Sequence, residues 1–242
     1  MATTSKQPRV VGYNVQSVVE TKHHLIVAHE VTNLGYDREA LSMMANAAKD
    51  VMASDEIEAI ADKGYYKGEE IVACERAGIA VTVSKPHTSN AAAVGRFDKA
   101  DFIYHADRDA YLCPAGEWLT YHFSREEDDK TLRSYWTNVC EDCVVKHRCT
   151  TGKERRIRRW EHEHILERVQ KRLDDDPCKI PLRSKTVEHP FGTIKAWMGA
   201  THFKMKRMEN VAPEMALHVL ACNMTRVMAI LGVPKLIEAM RA

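Results

Sequence analysis

The sequence predicts an α/β fold, and three observations carry the prediction. Up to Pro86 the chain reads strand, strand, helix, strand, helix, strand. Over that region the apolar residues switch between a spacing of about two and a spacing of about 3.6. From Arg155 onward the pattern turns helical again, after a stretch (102–152) that is aromatic, cysteine-bearing and free of any long helical period. With 242 residues, 45% of them hydrophobic and 29% charged, the chain builds a packed core, and global disorder is excluded.

The elements follow in order. "VVGYNVQSVVETKHHLIVAHEVTN" (10–33) alternates, turns at Thr21-Lys22-His23 and alternates back, which predicts a β-hairpin. Asp37 stands before a run of Ala, Leu and Met at helical spacing, with Glu39 early in the first turn. This predicts an N-cap at Asp37 and a helix through Met52. A strand is predicted over 56–62, an amphipathic helix over 66–78 stopped by Gly78, and a strand over 79–86 ended by Pro86. Residues 87–101 read as a linker. Further helices are predicted over 155–173, roughly 185–199 and 212–231. The organisation expected is a first part of the core in 1–100, a cysteine-rich insertion in 101–152 and a helical completion in 153–242.

No run approaches the ~18 apolar residues of a membrane span. "MATTSKQPRVVG" lacks the apolar centre of a signal peptide, so a cytoplasmic protein without a membrane partner is expected. The net charge of +1 says nothing about partners, but its distribution does. "KERRIRRW" (153–160) gathers Lys153, Arg155, Arg156, Arg158 and Arg159, and "FKMKRM" (203–208) adds Lys204, Lys206 and Arg207. Such runs are either solvated faces or contacts to the phosphates of a nucleic acid. Trp160 either packs or stacks on a base.

The seven cysteines, an odd number without a secretory signal, argue against a disulfide framework. Cys140 and Cys143 form a C-x-x-C pair, the usual half of a tetrahedral Zn²⁺ site. Cys149 and Cys113 would complete it, with His147 as a substitute, and the metal would stabilise a stretch too small for its own core. A redox pair or four unlinked thiols is the other reading.

Two acids stand in unusual places. Asp62 ends the strand at 56–62, where Lys63-Gly64 turns the chain. It is either a solvated loop acid or a metal ligand at the mouth of a sheet. Glu188 precedes His189-Pro190, and Lys195 follows seven residues later, two helical turns on and therefore on the same face. That pair suits a metal and a phosphate, or else is a capping acid and a surface lysine.

Four segments, "VGYNVQSVVETKHHLIVAHEVTN", "ADKGYYKGEEIVACERAGI", "CPAG…CEDC…C" and "TVEHPFGTIKAWMGATHF", together resemble the catalytic part of DDE-type bacterial insertion-sequence transposases, over essentially the whole chain. The resemblance implies an RNase H-like mixed sheet with flanking helices and a cysteine-rich insertion. It implies three carboxylates holding two Mg²⁺ (or Mn²⁺) ions, one activating the attacking oxygen and one stabilising the leaving oxygen of a phosphodiester. It implies DNA, both transposon ends and target, as partner, with a homo-oligomer or a full-length transposase as a further one. By the match Asp62 is the second acid and Glu188 the third, and Lys195 contacts phosphate near the cut. The first acid is implied on a strand before the hairpin, yet "MATTSKQPRVV" contains no Asp or Glu. Glu20 and Asp37 read more simply as turn and cap. The family's N-terminal helical region is also missing, so Met1 is expected to be an internal methionine of a longer reading frame. The family's arginine four residues before the glutamate is replaced by Ser184, with Arg183 one residue earlier. Three expectations follow: DNA strand cleavage and transfer, a catalytically inactive DNA-binding remnant, or a zinc-stabilised nucleic-acid module unrelated to cleavage.

Overall fold

The computed structural model describes residues 12–86 and 89–241. Val10 and Val11 of the predicted hairpin, and His87 and Thr88 of the predicted linker, lie outside the described residues. The fold is mixed α/β and divides into two compact units. One is built from the chain up to Lys85 together with the chain from Arg168 onward, and the other is Pro86–Glu167. The insertion predicted over 101–152 thus sits inside a larger unit that begins at Pro86.

The first unit opens with strands β1 (Asn14–Val19) and β2 (Ile26–Thr32), paired antiparallel with Val15 opposite Val31. This is the predicted hairpin. Glu20 holds its turn by accepting from the backbone N–H of Lys22 (2.8 Å) and of His23. Helix α1 (Leu41–Met52) starts later than predicted, with Ala40 in the N-cap position and no side-chain cap. Asp37 is not the cap because two side-chain amides claim it: Asn14 Nδ2 and Gln16 Nε2 each donate to its Oδ1 at 2.6 Å. Strand β3 (Ile57–Ala61) leads through one 3₁₀ turn (Lys63–Tyr65) to α2 (Gly68–Arg76) and then to β4 (Ile79–Val83), which pairs parallel with β3. Ile79, Val81, Thr82 and Val83 are all buried, as a strand covered on both faces requires.

The second unit is an antiparallel meander of β5 (Ile103–His105), β6 (Ala110–Leu112), β7 (Trp118–Glu127) and β8 (Lys130–Trp136). A short helix, α3 (Lys146–Cys149), precedes its last strand, β9 (Ile157–Trp160). Phe102, Tyr111, Leu119, Tyr135 and Ile157 form its core. The helix predicted from Arg155 begins only at α4 (Glu163–Asp175). Its expected first turns are β9 instead. Ile157 and Arg159 are buried there while Arg158 is exposed, a period of two that the crowd of arginines disguises.

The chain re-enters the first unit within α4, at Arg168, and goes on to α5 (Lys179–Gly192), which continues into a π-helical turn (Thr193–Trp197). It ends in α6 (Met208–Leu231) and α7 (Val233–Arg241). Helix α6 starts before the predicted residue 212 and keeps Pro213 within its opening turns. Contrary to the expectation from sequence, α6 is long and apolar enough, by length and composition only, to cross a membrane, with a mean hydropathy of 1.2 over an 18-residue window. Its Val211, Met215, Val219 and Cys222 are core residues, packed with Val19, Ile26, Val31 and Ile194. The hairpin is therefore a middle layer. Helix α1 covers one face through Met44 and Ala48 on Ala28, and α6 with the turn after α5 covers the other.

Candidate functional site

Asp62 follows the last residue of β3, is exposed, and opens the 3₁₀ turn by accepting from the backbone N–H of Lys63 at 2.6 Å. Three residues on, the Tyr65 hydroxyl donates to Gln16 Oε1. Burial, reinforced by the nearby charges of Asp37 and Asp62, pushes that phenol up to about 12, while the Arg183 guanidinium pulls the other way. Asp37, Asp62 and Arg183 are thus gathered around one side chain. Arg183 comes from α5, which packs on both β1 and β3. The same helix carries Glu188, exposed, whose Oε1 accepts from Ser184 Oγ at 2.6 Å. The serine at the expected arginine position therefore orients the glutamate, one turn away along α5.

Lys195 lies in the π-helical turn, where the winding is wider than in an α-helix, so the two-turn count from Glu188 does not carry across Gly192. It is exposed, with Nζ 5.8 Å from the centre of the Phe191 ring. Among the described residues, no group of three or more His, Cys, Asp or Glu is set to hold a metal ion. As described, neither the acids nor the four cysteines form such a group. Asp37 commits an oxygen to the two amides, and Glu20 is bound into its turn. Burial would raise the Glu20 carboxyl, but the N–H groups of Lys22, His23 and Leu25 hold it below its usual value. The sequence reading missed Asn14, Gln16, Tyr65 and Arg183 as parts of this constellation. The available signal was two amides at i and i+2, on one face of an otherwise apolar strand.

The basic residues fall into two groups. Lys153, Arg156, Arg158, Lys204, Lys206 and Arg207 are exposed. Arg156 pairs with Glu154 (2.7 Å), Arg158 with Glu127 (3.1 Å) and Arg207 with Glu209 (3.8 Å). Arg159 is not a surface cation. It is buried, grips Glu167 with both nitrogens, donates to the Tyr111 hydroxyl at 3.3 Å, and lies 3.7 Å from the Tyr104 ring centre. Arg155 is half-buried 5.5 Å from the Phe102 ring, its Nε without a hydrogen-bond partner among the described residues. Trp160 is buried and packs. An unpredicted feature lies on β7 and β8, where His122 stacks flat on Trp136 at 3.4 Å and Arg156 lies 4.8 Å from the same indole.

Cys113, Cys140, Cys143 and Cys149 line one small cavity of about 20 Å³, with Phe97, Phe102 and Leu119. All are free thiols. Burial pushes the Cys149 thiol up, and it feels the other three cysteines, with Arg155 acting in the opposite sense. The turn after Cys113 closes with the Gly116 N–H donating to the Cys113 carbonyl (2.9 Å) and the Glu117 N–H to its sulfur (3.4 Å). His147 is exposed and does not line the cavity.

Residues 112–228 match the family model described as Transposase DDE domain, a stretch that holds the four cysteines, Glu188 and Lys195. The match supports a DDE-type transposase, the family that the sequence motifs resemble. Comparison with curated proteins and with solved structures returns no match.

Proposed function

We propose that this chain supplies part of a DDE-type strand-transfer centre on an RNase H-like core, with Asp62 and Glu188 as two of its carboxylates. One observation carries the reading: Asp62 leaves the carboxyl end of β3, and the helix bearing Glu188 packs on that same strand. Bound Mg²⁺ or Mn²⁺ would supply Lewis-acid activation of a phosphodiester. The chain's own part is to hold the oxygens in place, Asp62 through the Lys63 N–H and Glu188 through Ser184. Lys195 and the exposed Lys153, Arg156, Arg158, Lys204, Lys206 and Arg207 face phosphate. The test is Mn²⁺ binding followed by electron paramagnetic resonance. Weak binding that disappears in both Asp62→Asn and Glu188→Gln supports the reading. Binding unaltered by either substitution overturns it.

The set of two carboxylates favours a second reading, in which the chain alone retains DNA without cutting it. Mg²⁺-dependent nicking that is lost in Asp62→Ala or Glu188→Ala distinguishes the enzyme from this remnant. For the second unit we propose a structural Zn²⁺ held by Cys113, Cys140, Cys143 and Cys149. What supports it is that all four cysteines line one space of about a single water's volume, although as described they do not form a ligand group. About one zinc per purified chain is expected, taken up with release of protons from the thiols. A content well below one, with the thiols reduced, removes the site.

A further inference from the structure

Within the basic run 153–160, Arg155 is placed unlike its neighbours. Arg156 and Arg158 point to solvent and pair with Glu154 and Glu127, and Arg159 is enclosed by Glu167 and two tyrosines. Arg155 is half-buried, and its Nε is buried with no hydrogen-bond partner among the described residues. A guanidinium does not give up its protons in a protein. Its buried N–H therefore either meets an acceptor or carries the whole cost of lost water.

The surroundings define which acceptor fits. The alternation that turns Ile157 and Arg159 inward turns residue 155 to the same side. On that side the core of the second unit is flanked by Cys113 and Cys149. Arg155 and the four cysteines line one space of about 20 Å³. Apart from Lys146 and Thr150 the rest of its wall is apolar, and no carboxylate lines it. The sulfurs are thus the only groups of that wall able to carry negative charge. One of them, Cys113 Sγ, already accepts from a backbone N–H, that of Glu117 at 3.4 Å. The charge of Arg155 acts on Cys149 in the sense opposite to that of Cys113, Cys140 and Cys143. Four thiolates around one Zn²⁺ leave two negative charges in a mostly apolar wall, which is costly without a cation beside them. A disulfide is neutral and a poor acceptor, and would give the Arg155 donor nothing.

We propose that Arg155 is a positioning residue of the four-cysteine site: its Nε–H donates to the Cys149 thiolate, and its charge offsets that of the four sulfurs around the metal. The inference rests on the Zn²⁺ reading given above and deepens it. It assigns Arg155 to the metal, where the run of cations in the sequence placed it on phosphate.

The test uses the full chain with reduced thiols. Zn²⁺ affinity is measured by competition with a chromophoric chelator, and Co²⁺ is bound in a parallel sample as a spectroscopic substitute. Arg155→Met should weaken Zn²⁺ binding by about tenfold to a hundredfold, the usual effect of losing an outer partner of a ligand. The sulfur-to-cobalt charge-transfer band should move to longer wavelength, because a thiolate relieved of its donor gives up an electron more easily. A merely structural role would not move that band. Arg155→Lys keeps a cation and should recover part of the affinity; should Arg155→Met fail to fold, the band of Arg155→Lys, whose donor is displaced, carries the test. Lys146→Met, which removes the other cation of the wall, should leave the band in place. An unaltered affinity and band in the Arg155 variants overturns the proposal and leaves the Zn²⁺ reading standing. So does an equal loss of affinity in Lys146→Met with no band shift in either variant, which would mean charge alone acts. A lower salt slope of DNA binding in Arg155→Met at native Zn²⁺ affinity overturns it too, by returning Arg155 to phosphate. A native chain that binds far less than one Zn²⁺ removes both readings together.

Discussion

The second unit has one sheet and the first has two halves of one. In Pro86–Glu167 five antiparallel strands hydrogen-bond in simple succession, and the charges of Asp109 and Arg159 are paired within the unit, although Arg155 Nε and Trp160 Nε1 find no partner among the described residues. Asp109 accepts from the hydroxyls of Tyr104 and Tyr135, each at 2.8 Å, and from Arg133, while Arg159 is enclosed by Glu167 and two tyrosines. In the first unit two-stranded pairs, marginal on their own, are held by helices. Their polar network of Asn14, Gln16, Asp37 and Tyr65 gathers at the end where Asp62 emerges. The contrast separates two uses of buried charge: in one unit it closes a fold, and in the other it stands beside an opening.

The sharpest way to break the contrast is to remove the charge from the closed unit. Arg159→Ala is expected to destabilise it by about 3 kcal/mol, at the lower end for a broken buried pair because Glu167 is half-exposed and rehydrates. Urea unfolding followed by tryptophan fluorescence measures it. A loss below 1 kcal/mol would mean that Arg159 is not structural. Next in size is the clasp on the outer edge of β4. Glu75→Gln, which weakens the contacts to Arg172 and Val81, should cost about 2 kcal/mol. Burial alone would raise the Glu75 carboxyl, but the hydrogen bonds and charge of Arg172, helped by the Val81 N–H and Arg168, hold it below its usual value. Its contribution is therefore complete above the ordinary glutamate range and is lost as pH falls through the lowered folded value. Thermal melts of the native chain and of Glu75→Gln should diverge near neutrality and converge in acid.

Tyr65→Phe tests the open unit and should cost about 1 kcal/mol, since it removes the partner of a buried Gln16 amide oxygen. A change confined to metal affinity, with no loss of stability, would place Tyr65 in the site rather than in its support.

Legibility from sequence follows the same division. The hairpin, α2, β3 and β4 were readable because each has a clean period and a glycine, proline or turn at its end. That Asp62 ends a strand and Glu188 sits on a helix was readable from spacing. The α1 cap was not, because the competing donors for Asp37 lie on a strand more than twenty residues away in sequence, at Asn14 and Gln16. Strand β9 was not, because a charge-rich run hides a period of two when one arginine points inward. The cavity of about 410 Å³ that β1 and β3 both line was invisible in principle, since it depends on which strands fail to pair.

The smallest expected effect separates surface cations from structural ones. Arg158 is exposed and its partner Glu127 is also largely solvated, so Arg158→Ala should change stability by less than about 0.5 kcal/mol. On DNA the same substitution should weaken binding alike for all sequences and lower the slope of log affinity against log salt by about one. Arg159→Ala should leave that slope unchanged in whatever fraction remains folded, because a guanidinium enclosed by Glu167, Tyr111 and Tyr104 has no counterion to release. If the two arginines, neighbours in sequence on one strand, gave the same slope, the alternation of β9 would be wrong, and so would the division of its charges between core and phosphate.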